Sequence, residues 1–77
     1  MMRFGNKIAV MRNARAVMKA DAACRQAGLP ARIIAVPPKI SSECGMCIQL
    51  TDIQIAEFAR LMAELGIETK LYDYPSL

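Results

Sequence analysis

Two cysteines stand three positions apart in the stretch Ser41-Ser42-Glu43-Cys44-Gly45-Met46-Cys47. A thiol reacts as the thiolate, which forms more readily beside positive charge or hydrogen-bond donors. The stretch offers donors in the Ser41 and Ser42 hydroxyls and in the backbone N–H groups around Gly45, where no side chain blocks approach. Lys39 and Arg12 can add positive charge if the fold brings them close; Glu43 works against it. Small polar neighbours make Cys44 the cysteine expected to meet solvent as a working thiol. Cys47 begins an apolar run with Ile48 and Leu50, where it is either a second thiol or a small residue filling a pleat position.

Missing residues narrow the chemistry. The chain has no histidine, which excludes a Cys–His catalytic dyad. It carries no Gly-rich phosphate loop. In thioredoxin-like proteins a CxxC opens a helix after a strand, whereas Cys44-x-x-Cys47 runs into a strand. Zinc needs four ligands, so a Cys₄ site would take two chains; no metal site and no cofactor are expected.

The elements that must position Cys44 follow from periodicity and punctuation. Lys7 to Met11 is a short strand between Gly5-Asn6 and Arg12-Asn13. Asn13 can cap a helix from Ala14 to Ala27, with Val17, Ala20, Cys24 and Ala27 on its apolar stripe and Gly28 and Pro30 ending it. Cys24 on that stripe is expected to be buried and inert. Arg32 to Val36 is a second strand, and Pro37-Pro38 leads stiffly into the Lys39–Gly45 loop. Met46 to Leu50 is a third strand. Thr51 with Gln54 matches a capping box for a helix to Leu65, with Ile55, Ala59, Met62 and Leu65 as its buried stripe, helped by Phe58. Gly66 ends that helix, and Thr69 to Tyr74 is a last strand.

The fold class is therefore α+β, a two-layer sandwich of ferredoxin-like β-α-β-β-α-β order. Each helix has one apolar stripe to bury, so both cover one face of a four-stranded sheet. The opposite face is expected to carry Ala9, Met11, Cys47, Gln49, Tyr72 and Tyr74, apolar enough for a partner or a second copy to cover it.

The 77 residues make a single domain, 1–77, with its core over about 7–74. Nothing approaches the roughly 20 apolar residues of a membrane helix, and three cysteines cannot all pair, so a reducing, cytoplasmic setting is expected. Residues 1–40 hold eight Lys/Arg and one acid, +7, and residues 41–77 hold two against six, −4, which sum to the chain's +3. That split fits a nucleic-acid or acidic protein partner; it also fits two helix faces of opposite sign that pair with each other, which is the expectation adopted. The second and third strands lack the aromatics on which RNA-recognition sheets stack bases, which argues against nucleic acid.

The span Val36-Pro37-Pro38-Lys39-Ile40-Ser41-Ser42-Glu43-Cys44-Gly45-Met46 resembles the signature of the Se/S carrier-like family, small bacterial domains with Ile-Ser-Ser before a lone Cys-Gly. The helix around Met18-Lys19-Ala20-Asp21, its close at Ala27-Gly28-Leu29, Gly66-Ile67 and the Tyr72 strand are similar too. Asp21 departs from an expected glutamate, and Cys47 from an expected small apolar residue. The resemblance implies a carrier rather than an enzyme, with sulfur or selenium held on Cys44 as a persulfide or selenopersulfide. Its implied partners are a cysteine desulfurase or selenium-donor protein and an acceptor enzyme. Two other readings stay open at this point: a docking or regulatory module using the apolar sheet face, and a redox sensor that joins Cys44 to Cys47.

Overall fold

The computed structural model describes residues 6–40 and 45–73. Strand β1 spans Lys7–Met11, helix α1 Ala14–Ala27, β2 Arg32–Ala35, β3 Met46–Leu50, α2 Ile55–Leu65 and β4 Thr69–Asp73. A single 3₁₀ turn, Asp52–Gln54, leads into α2. Tyr74, expected to end the last strand, lies outside the described residues.

The sheet order is β2-β3-β1-β4, and every neighbouring pair is antiparallel. β1 and β2 therefore run the same way with β3 between them, and β3 and β4 run the same way with β1 between them. Two split βαβ units interleaved in this manner are the expected ferredoxin-like arrangement. Register pairs Val10 with Cys47, Ala35 with Met46, and Met11 with Thr69. The end of β1, the end of β2 and the starts of β3 and β4 thus meet at one end of the sheet.

Local chemistry sets the helix boundaries. The Asn13 side chain accepts a hydrogen bond from the Ala16 N–H at 2.8 Å, which satisfies one of the exposed amides at the start of α1. Gly28 adopts the left-handed conformation at φ 75°, and the Leu29 N–H reaches back to the Cys24 carbonyl at 2.9 Å to close the helix. At the entry to α2 the Thr51 N–H donates to the Gln54 side-chain oxygen at 3.1 Å.

Both helices lie on one sheet face. Ala9, Met11, Ile48 and Leu50 from the sheet pack there with Val17, Ala20 and Cys24 of α1 and Phe58 and Met62 of α2. This corrects the expected faces of β1. Ala9 and Met11 belong to the helix side, because Ala9 sits opposite Ile48, while Ile8 and Val10 point to the other face beside Gln49 and Cys47. Ile8 to Met11 is apolar at every position, so alternation alone could not choose its inward face. A charge placed at Met11 would therefore report on folding rather than on association.

The α2 stripe also shifts. Phe58 and Met62 are its buried residues, while Ala59 is exposed and Leu65 is 41% exposed. Phe58 and Met62 stand four apart on one side of the helix, with Ala59 about 100° round from Phe58, so the aromatic ring rather than the alanine points at the sheet. The expected pairing of the two helices by charge does not form. Among the described residues the helices' own ion pairs are internal, Asp21 with Arg25 in α1 and Arg60 with Glu64 in α2, and none joins α1 to α2.

The face away from the helices is not open at its centre. Ile8 and Cys47 are fully buried and Val10 nearly so, and with Ile40 they form a second apolar cluster flanked by Ile34, Val36 and Tyr72. Gln49 is buried on that face, and its side-chain oxygen accepts from the Arg32 guanidinium at 3.2 Å.

Candidate functional site

The loop from β2 to β3 carries the candidate thiol. Ser41, Ser42, Glu43 and Cys44 lie outside the described residues; both flanks of that span are described. On the incoming side Pro37 to Ile40 form a β-turn, closed by the Ile40 N–H donating to the Pro37 carbonyl at 3.0 Å. Pro38 falls at the turn's second position, where its fixed φ suits the geometry. The turn sends Ile40 back onto the sheet, where it is 9% exposed against Ile8, Val10 and Cys47. Lys39 sits exposed at the turn's third position.

On the outgoing side Gly45 has φ 73°, a left-handed conformation that residues with a Cβ seldom adopt. Its carbonyl accepts the Val36 N–H at 3.1 Å, which extends the β2–β3 ladder by one bond. Among the described residues, a Cβ at Gly45 would meet nothing within 4 Å. The glycine after Cys44 thus has a physical reason: its left-handed φ turns the chain into β3.

Cys47 lies two residues into β3 and is fully buried, its thiol 3.9 Å from the Ala35 carbonyl on the neighbouring strand. Cys24 is 1% exposed in the main core. Burial pushes the Cys24 thiol above its ordinary range, and the nearby Asp21 carboxylate adds to the shift. A thiol held protonated in a core is a poor nucleophile.

Arg12 follows β1 directly, on the strand next to β3 and at the sheet end where Gly45 leads into it. Its guanidinium is 3.3 Å from Glu68, just ahead of β4, so it leans to the side away from the loop. That pair is exposed on both partners and contributes at most about 1 kcal/mol. The structure therefore brings Gly45 and Arg12 to one sheet end and places Cys47 beneath the Ile40 cluster. Ile40 was not singled out from the sequence. The signal was there, an isolated branched apolar residue between Lys39 and two serines.

Among the described residues, no group of three or more metal-ligating side chains gathers, and no helix is long and apolar enough to cross a membrane. The fold and flanks define a small α+β domain that holds a cysteine-bearing loop between two anchored points. A family model described as "Putative Se/S carrier protein-like" matches residues 6–72, and the chain belongs to that family. No curated protein and no solved structure matches it.

Proposed function

We propose that the protein carries sulfur or selenium on Cys44. The burial of Cys24 and Cys47 carries this reading. A carrier thiol must reach the active sites of two other proteins in turn, and neither buried cysteine can do so without opening the fold. Family membership supports the same role.

The chemistry needs one thiol. The Cys44 thiolate attacks the outer sulfur of a donor persulfide, R–S–SH. A bond forms from Cys44 to that sulfur, the donor's S–S bond breaks, and R–S⁻ leaves with the electron pair. The terminal S–H is kept, giving Cys44–S–SH, and no external oxidant or reductant is consumed. With selenium as the outer atom the product is Cys44–S–SeH. An acceptor then attacks the terminal atom and regenerates the thiolate. No acid–base partner is required, which fits a chain without histidine. A cysteine desulfurase suits the donor role because it presents an enzyme-bound persulfide, and an acceptor enzyme consumes the cargo.

The dithiol alternative is disfavoured by the position of Cys47. The Cys47 thiol is fully buried in the cluster that holds Ile40 and Val36, so it is not presented to a partner as a second exposed thiol would be. Brief alkylation of the folded protein followed by peptide mapping tests the carrier reading. Cys44 is expected to label fastest, with Cys24 and Cys47 protected until unfolding. Labelling of Cys47 at a rate equal to Cys44 would restore the dithiol reading.

A further inference from the structure

A groove of about 500 Å³ opens at the sheet end where β1 meets α1 and the α2–β4 connection passes. Its apolar lining comes from Ala16, Leu65 and Ile67, and its cations are Arg12, Arg15 and Lys19. Arg15 and Lys19 stand four apart on α1 and share one helix face. Neither makes an ion pair among the described residues, and the acidic α2 beside them does not neutralise them. Glu68 is the single acid of the groove, and the exposed Arg12 already answers it. Three of the eight cations of the chain's first half thus line one aliphatic pocket, and two of them, Arg15 and Lys19, make no ion pair among the described residues.

The pocket's chemistry selects its occupant. Nucleic-acid surfaces stack bases on aromatic rings, and no aromatic residue lines this groove. A bilayer needs a flat or convex amphipathic face; this one is concave. Two unpaired cations, Arg15 and Lys19, beside an aliphatic lining complement an extended acidic segment with one apolar side chain pointing inward. The groove lies at the same sheet end as Gly45, where the chain emerges from the Cys44 loop into β3.

We infer that the groove lined by Arg12, Arg15, Lys19, Leu65 and Ile67 docks an acidic segment of the protein that exchanges sulfur or selenium with Cys44. The identity of that protein as donor or acceptor rests on the carrier reading, and the docking surface does not.

The test is an NMR titration of ¹⁵N-labelled protein with a synthetic peptide of alternating Glu, Asp and Leu, at low and at physiological salt. Amide shifts are expected to saturate and to cluster over residues 12–19 and 65–68. The double variant Arg15→Glu/Lys19→Glu should weaken binding by about tenfold, from two exposed charge contacts reversed. Arg25→Glu is the control. It lies on the same helix, roughly 15 Å along the axis from Arg15, and should leave affinity within twofold. Circular dichroism of each variant confirms the fold. Shifts centred elsewhere, or equal affinity in the double variant, would overturn the docking surface. Displacement of the peptide by oligouridylate or by phosphatidylglycerol vesicles at lower concentration would overturn the acidic protein as occupant. Repeating the titration with Cys44→Ser separates the two claims, since peptide binding should persist whether or not Cys44 carries cargo.

Discussion

Gly45→Ala is the perturbation that acts on the loop's outgoing anchor without touching a thiol. The native φ of 73° places a Cβ in the left-handed region, where steric crowding costs roughly 1–2 kcal/mol. Among the described residues space adds nothing, because none comes within 4 Å of the new methyl. Alanine also stiffens the unfolded chain, which offsets about 0.4–1 kcal/mol. The net loss is about 1 kcal/mol. If the backbone instead relaxes to negative φ, the bond from the Val36 N–H to the Gly45 carbonyl breaks, at a similar cost. A domain of this size has roughly 4–12 kcal/mol of stability, so the variant folds. Gly28→Ala is a matched control, with φ 75° and equally empty space at the far end of α1. Both variants should lose about 4–8 °C in Tm by thermal denaturation. Only Gly45→Ala should slow alkylation of Cys44. If Gly45→Ala costs no stability, or if both variants slow Cys44 equally, the claim that Gly45 sets the thiol's presentation is wrong.

The shifted α2 stripe predicts that Phe58→Ala destabilises by about 3–5 kcal/mol, whereas Leu65→Ala stays within about 0.5 kcal/mol, read from urea midpoints. Cys24 predicts a pH dependence. Its thiol pKa is raised in the folded state, so the folded protein keeps a proton that the unfolded chain releases above pH about 8.5. The Cys24 contribution to stability is full below that pH and is lost as pH rises towards the folded value, so Cys24→Ala should flatten the fall in urea-unfolding stability on the alkaline side.

Much of the fold could be read from the chain because its punctuation is unambiguous. Asn13, Gly28 and Pro30 bracket one helix, Thr51 and Gly66 the other, and the prolines at 37 and 38 end β2. The inward face of β1 could not be read, because Ile8, Ala9, Val10 and Met11 offer the core no contrast; only the register with β3 decides it. The centre of the α2 stripe was missed because Phe58 and Ala59 are adjacent and both apolar, so spacing alone did not say which one the sheet takes. The charge split was visible, but not its arrangement, since whether opposite helices pair depends on which way Arg15, Lys19, Glu57 and Glu64 point. The burial of Cys24 was legible from its stripe and the place of Cys47 in β3 from its neighbours, but the burial of Cys47 was not, because its face was expected to be open. The anchoring of Ile40 against Cys47 was not, because it joins a loop residue to the sheet across the turn at Pro37–Ile40.

The most direct test of the central claim is desulfurase-dependent transfer of labelled sulfur, read by mass spectrometry on peptides of the folded protein and its single-cysteine variants. Wild type should gain one sulfur atom on Cys44. Cys44→Ser should gain none, while Cys47→Ser should load as well as wild type and hold the persulfide as long, since the buried Cys47 thiol takes no part. Normal loading of Cys44→Ser would contradict the account, and loss of loading in both variants with folds intact would replace the single-thiol carrier with a Cys44–Cys47 pair.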